Sequence, residues 1–433
     1  MPTISGDSGR SYTWLPLDNA AKIYPAVRSK QHTTVFRISA ILHEPVNISS
    51  LLHALNVIES RFPYFKVSLR KGFFWYYLEY VDQHLHPLPD DRGLCRAFST
   101  RANEDALLFR IVVVKNRISA EFSHILTDGT GAVVFITSLL QVYLRERGVK
   151  VADNPFFNLD ATMSDQEFED AYNHYFQYGI PPVLQYTKAF HLPYKLTGKP
   201  RFHMLVAILS LNEIKSKARE KGVTITDYLV AVYLLVLQDI YNEMPKYSRY
   251  RRKKILRVQV PVNLRRIYPT KSLRNFSLFV LPEIDLRLGR YTFDEIIKIV
   301  YHKMRLETDE KIINKIISRN VGSERNMIVR SIPLLLKNLI LYFKYYSQGA
   351  NQYSGVVTNL GKVELPAEVL QKIAHFVFIP PPPNRKLKVN CGVIGFKEEL
   401  VISFGNITNS NELEKKYFRF LVSQGIQVKL TTY

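Results

Sequence analysis

Between residues 148 and 200 the chain loses its apolar periodicity. The segment carries acidic polar stretches, Pro181-Pro182, Pro193 and Gly198-Lys199-Pro200, which mark a connection and not a packed element. On either side of it, strand-like and helix-like signals alternate. That layout restricts the chain to two units of mixed make-up, each an α/β layer, and leaves no separate all-helical module. We place the first unit at residues 1–180 and the second at 181–433. With 433 residues, 46% of them hydrophobic, there is apolar surface enough for two cores. No repeat with a period of about 20 to 50 residues is present, which removes solenoids and propellers.

In the first unit, residues 35–42 have the β-branched and aromatic content of a strand. Ser49-Ser50 then caps a helix with Leu51, Leu55 and Ile58 on one face, ended by Arg61-Phe62-Pro63. Residues 73–81 and 107–114 read as strands, and Ile118, Ala120 and Phe122 share one face of another. After His124 the period changes to helical, with Val133, Ile136, Leu140 and Leu144 on one stripe and Gly148 as the stop. The second unit predicts strands at 203–211, 255–262 and 276–286, and helices at 212–221, 226–241, 292–318 and 325–346. Its tail carries strands near Val356, Phe376, Val389 and Val401, a stiff Pro380-to-Pro383 loop, and a helix over 411–422. The apolar stripe at 332–346, which includes Lys337 and Lys344, is expected to face a core; the alternative is a surface helix touching anionic lipid.

Lys and Arg number 59 against 38 Asp and Glu, a net charge of +21 that invites a nucleic-acid or membrane partner. Residues 1–180 hold 18 basic and 19 acidic side chains, so the other 253 carry 41 and 19 and own the whole excess. Its densest run, Arg249 to Arg257, precedes an apolar strand and lacks the aromatic interleaving of an RNA platform, so we expect no nucleic-acid partner. Two cysteines, Cys95 and Cys391, support neither a disulfide framework nor a cysteine-based metal centre, and no His and carboxylate grouping has metal-ligand spacing. The start of the chain has no signal-peptide pattern, and the longest apolar runs fall short of the roughly 20 residues a bilayer span needs. The expectation is a cytoplasmic protein with reduced thiols, with contact to a membrane surface left open.

One histidine stands in a chemically suggestive setting. His124-Ile125-Leu126-Thr127-Asp128-Gly129, followed by Thr130-Gly131, joins a strand to a helix. An imidazole at a strand end takes a proton from an alcohol or amine near neutral pH, because its unperturbed pKa is about 6.5. Asp128 would fix the geometry by bonding the turn or an arginine, and Gly129 would allow a backbone path or close approach that a side chain blocks. The plainer reading is a core histidine and an aspartate that caps the next helix. The residues alone leave both open.

The His-x-x-x-Asp-Gly string resembles the active-site motif of the chloramphenicol acetyltransferase-like superfamily. That group includes alcohol acetyltransferases, plant BAHD enzymes, polyketide-associated acyltransferases and peptide synthetase condensation domains. Ala54-Leu55 with Arg61-Phe62-Pro63 is similar to the family's first helix. Val260-Pro261-Val262-Asn263-Leu264-Arg265 is similar to its extended segment ending in arginine, and Thr358-Asn359-Leu360-Gly361 to its Ser-Asn-Leu-Gly segment. Ser123 stands where condensation domains have a first histidine, and Ser403-Phe404-Gly405-Asn406 is a poor substitute for the BAHD Asp-Phe-Gly-Trp-Gly. Together with the opening Leu17-Asp18-Asn19-Ala20-Ala21-Lys22, the order of motifs looks closest to the bacterial alcohol acetyltransferase branch.

The resemblance implies an α/β fold of two subdomains forming a V around a central tunnel, with no bound cofactor. Acyl-CoA would enter as co-substrate from one mouth and an alcohol or amine acceptor from the other. His124 would be the general base. Asp128 and Gly129 would be structural, with Arg265 as the partner of Asp128 unless Arg265 is a surface charge beside Arg266. Thr358, Asn359 and Ser403 would be candidates for substrate or oxyanion contacts. Alternatives are an enzyme taking its acyl group from an acyl carrier protein, or a condensation-like enzyme forming an ester or amide. A further alternative is a catalytically silent anion-binding protein of the same fold.

Overall fold

The strand Val35–Leu42 is buried at seven of its eight positions, because sheet neighbours flank it and both faces are covered. The structure is a computed structural model that describes residues 4–5, 11–29, 32–90, 93–98, 106–152, 158–181 and 186–431. The sheet around this strand runs Ile373–Ile379, Val35–Leu42, Arg117–Ser123, Phe109–Val114, Leu88–Pro89. Arg37, fully buried in its middle, is neutralised by Asp90 and Glu121, each at 2.7 Å, as an interior charge must be. Helices Ile48–Arg61 and Gly129–Glu146 pack together and fill the core with Leu51, Leu55, Phe135 and Ile136. The first of these is capped by Asn47, whose side chain accepts from the Ser50 N–H at 2.9 Å; Ser49 and Ser50, the expected caps, already lie inside the helix.

The second sheet runs Ser277–Val280, Ile255–Asn263, Gly355–Val363, Val389–Phe396, Glu399–Asn406, His203–Ser210, Val428–Thr431. The apolar helix Ile225–Glu243 packs against it between Leu211–Glu220, Phe293–Glu307 and Glu412–Ser423. The strand expected over 276–286 is interrupted at Leu281-Pro282: Ser277–Val280 and Glu283–Asp285 pair separately with Ile255–Asn263. Proline has no N–H to give the ladder. The helices expected over 292–318 and 325–346 are each two pieces, divided where Asp309 caps Glu310–Arg325 and where Pro333 precedes Leu334–Lys344. The stripe at 332–346 does not face a core: Leu335, Leu336, Leu339, Ile340 and Phe343 are exposed while Lys337 is buried. Cys95 and Cys391 are buried in different cores.

Two features tie the halves together. Ile373–Ile379, late in the chain, completes the first sheet by pairing antiparallel with Val35–Leu42. The acidic connection acts as a strap. Glu167 accepts from Arg61 and from Tyr64 Oη, each at 2.7 Å, while its backbone carbonyl accepts from Leu273 N at 2.7 Å. Glu169 O accepts from Ser272 Oγ at 2.8 Å. Pro182 of this connection lies outside the described residues.

A fragment ending at residue 180 would present the edge of Val35–Leu42 unpaired, together with the apolar side chains that Ile373–Ile379 covers. We expect it to aggregate or lack cooperative melting when expressed alone; a soluble, cooperatively melting fragment would contradict this.

Candidate active site

The Arg117–Ser123 strand ends at His124, and three residues of turn lead to Asp128, the N-cap of Gly129–Glu146. The Asp128 carboxylate is nearly buried and accepts four hydrogen bonds. Oδ1 takes the Thr130 and Gly131 N–H groups, both at 3.1 Å, and Oδ2 takes Arg265 Nη1 at 2.8 Å and Phe276 N at 2.9 Å. One carboxylate thus caps a helix of the first half and anchors the 264–276 segment of the second. Arg265 is held in turn by Ser272 O at 2.8 Å, by Asn263 Oδ1 at 3.2 Å and by Arg274 O. It is therefore an inter-half cation and not a surface charge.

Close approach explains the glycines. A Cβ at Gly129 would meet the Leu360 Cδ2, the end of a flexible side chain. At Gly131 it would collide with the Leu273 carbonyl oxygen and with Thr127 Oγ1, which already donates to that carbonyl at 2.5 Å. Gly131, not singled out by the motif, is the stricter position because backbone cannot swing aside.

His124 is stacked on Tyr24, with ring centroids 5.4 Å apart, and tilted against Phe36 at 4.5 Å. Its backbone is fixed by Thr34 O, which accepts the His124 N–H at 3.0 Å, and by Asn275 Nδ2, which donates to the His124 carbonyl at 2.9 Å. The residue keeps some accessible surface, yet Nδ1 is buried with no well-formed hydrogen bond. Burial lowers its pKa to about 4; the Asp128 carboxylate and, more weakly, the Thr127 backbone and Asn275 side chain oppose that shift. The imidazole is accordingly neutral at physiological pH, with a lone pair to offer.

Asp18 and Asn275 complete the surroundings. Asp18, fully buried, accepts from Ala21 N at 2.8 Å and Asn275 Nδ2 at 3.0 Å, with Arg274 Nε 3.6 Å away. Burial pushes its carboxyl up to about 6 against the pull of Arg274. Asp18 sits within the Leu17-to-Lys22 string noted in the sequence. Asn275 carried no signal, since its role depends on two partners distant in the chain.

The three proposed substrate contacts separate. Ser403 is buried and donates to Phe378 O, so its proton is already used. Asn359 gives its amide to Thr226 Oγ1 at 3.0 Å and accepts from Gly361 N at 2.9 Å, which closes a turn at φ +82° that suits glycine. Thr358 makes no side-chain hydrogen bond among the described residues. It lies two positions before Leu360, whose Cδ2 approaches Gly129.

No protein-family profile and no curated protein matches this chain in sequence. Solved structures do match. Polyketide synthase associated protein 5 from Mycobacterium tuberculosis aligns with a TM-score of 0.62 at 12% identity, over 94% of this chain and 96% of that one. The trichothecene 15-O-acetyltransferase from Fusarium sporotrichioides gives 0.60 at 12% identity, over 98% and 96%. A second F. sporotrichioides protein, TRI101, solved with coenzyme A and T-2, gives 0.58 at 11% identity, over 96% and 99%. Condensation and epimerization domains of peptide synthetases lie in the same range. The chain therefore has the two-part α/β fold of these acyltransferases and condensation domains, the chloramphenicol acetyltransferase-like fold.

Two outcomes follow from this geometry. Gly131→Ala should destabilise the protein more than Gly129→Ala, as read by denaturant unfolding; equal losses would contradict the backbone collision. The His124 imidazole should titrate near pH 4 by NMR, against about 6.5 for a solvated ring. Because the unfolded chain takes up that proton first, this group's contribution to stability is present above about pH 6.5 and declines as pH falls towards 4. A midpoint near 6.5 would show a solvated ring.

Proposed function

We propose that this protein is an acyltransferase that moves an acyl group from acyl-CoA to an alcohol, with His124 as general base. The observation that carries the reading is the His124 imidazole packed between Tyr24 and Phe36 at the junction of the two halves, its backbone carbonyl bonded by Asn275 and its protonation opposed by burial. The likeness to O-acetyltransferases and to a coenzyme A complex supports the same chemistry. The acceptor oxygen attacks the thioester carbonyl as His124 takes its proton. The C–O bond forms, the C–S bond breaks, and the imidazolium returns the proton to the departing thiolate. No acyl-enzyme intervenes.

In this reading Asp128 is a positioning residue, because four donors already occupy its oxygens. Thr358, whose hydroxyl makes no hydrogen bond among the described residues, is the donor to the oxygen on which charge develops. The basic second half, 41 basic against 19 acidic side chains beyond residue 180, raises the local concentration of a polyanionic donor such as CoA. A donor held on a carrier protein is the second reading, favoured by the likeness to condensation domains.

The test is thiol release from acyl-CoAs, acetyl to palmitoyl, against mixed alcohols and amines, with the same acyl groups on a phosphopantetheinylated carrier as a parallel arm. We expect turnover with acyl-CoA and a loss of about 10² to 10⁴-fold in a folded His124→Ala variant. Turnover with the carrier alone would select the second reading, and wild-type rates in His124→Ala would overturn both.

A further inference from the structure

The Leu334–Lys344 helix buries Leu334 and Lys337 and turns most of its other apolar side chains outward. Its inward stripe includes Lys337 and Asn338. Lys337 is only 4% exposed; its ammonium lies 3.5 Å from the centre of the Trp75 ring and donates to the carbonyls of Phe74 at 3.1 Å and Arg330 at 3.0 Å. Asn338 Nδ2 donates to Tyr76 Oη at 2.9 Å. The outward stripe is aliphatic and aromatic, led by Leu335 at 84% exposure with Leu339 and Phe343 beside it. The helix is pinned to the tip of the hairpin formed by Val67–Lys71 and Tyr76–Tyr80: Leu334 N donates to Phe73 O at 2.9 Å, and Phe73 is itself 74% exposed. Met327 and Ile328, just before the helix, are also exposed. Water penalises this arrangement, and contiguous exposed apolar surface of this kind marks an interaction site.

We propose that this face docks on the surface of an anionic lipid bilayer. Charge selects the occupant. Between Glu324 and Glu364 the sequence has no acidic residue, while Arg330 and Lys344 are exposed beside the apolar side chains, as is Lys71 next to the Phe73 tip. Lys337, the one cation within the outward leucines' own turns, is folded inward onto Trp75, so no charge projects from the middle of the face. An apolar stripe rimmed by cations is the pattern that settles into the headgroup boundary of anionic membranes. Among the described residues no single helix is long and apolar enough to cross a membrane. The helix that bears the face packs on Tyr24–Val27, and the Tyr24 ring stacks on His124.

The full-length protein is sedimented with vesicles of phosphatidylcholine alone or mixed with phosphatidylglycerol, and its mass in solution is measured by light scattering. We expect it to bind the mixed vesicles, less so as salt rises. A Leu335→Ser/Leu339→Ser/Phe343→Ser variant should lose binding by roughly tenfold or more with unchanged melting, since all three side chains are exposed. Arg330→Gln/Lys344→Gln should lose the preference for the mixed vesicles. Wild-type protein that stays in the supernatant, or a triple Ser variant that sediments equally, overturns the proposal. So does a wild-type dimer that the triple Ser variant converts to monomer without vesicle binding, which would assign the face to a second copy. None of these readouts depends on acyl transfer.

Discussion

The Asp128 carboxylate is the joint on which the arrangement turns. Two of its bonds close the N-terminus of Gly129–Glu146, and two reach across to Arg265 and the Phe276 backbone. A carboxylate with four donors is fully satisfied, so it can be buried without the cost of an unpaired charge. The glycine at 131 and the Thr127 hydroxyl then let the helix end press directly on the Leu273 carbonyl. His124 lies in the turn that these contacts hold still, and its imidazole is aimed by packing between Tyr24 and Phe36 instead of by a side-chain partner at Nδ1.

The same junction is reinforced from further away. Asp18 and Asn275 carry the lock from the N-terminal segment to the His124 carbonyl, and the Glu167 strap couples Arg61 to Leu273. Ile373–Ile379 adds a strand from the second half of the chain to the first sheet. Each bond is modest, about 1 kcal/mol for a neutral hydrogen bond and more for charged ones, but they share one rigid interface and reinforce one another. A site at such a seam needs both halves in place before the imidazole is positioned.

Much of the local structure was legible because it depends on neighbours in sequence. The strands at 35–42, 203–211 and 255–262, the helix between His124 and Gly148, and the helices at 212–221 and 226–241 follow from apolar period and termination signals, Gly148 at φ +81° among them. What failed did so for identifiable reasons. Asn47 outcompeted Ser49-Ser50 as cap two to three residues earlier, Pro282 divided a strand, and Asp309 and Pro333 divided helices whose apolar period ran on across the break. The 332–346 stripe was misread because periodicity reports that a helix has an apolar face without saying which way that face is turned.

By itself the sequence determined the alternation of strands and helices, the long acidic connection, the concentration of positive charge beyond residue 180, and the strand-to-helix turn from His124 to Gly131. These are properties of composition and short-range pattern. Only the tertiary structure decided that Asp128 bonds Arg265, that Asn275 and Asp18 stand behind His124, that Ser403 and Asn359 spend their polar groups on the scaffold, and that Lys337 is buried while Leu335 is exposed. Each of those joins residues far apart in the chain or depends on which face a neighbour covers. The physical reason is that hydrogen-bond satisfaction and burial are settled by what surrounds a side chain in space, and a linear pattern carries no record of that.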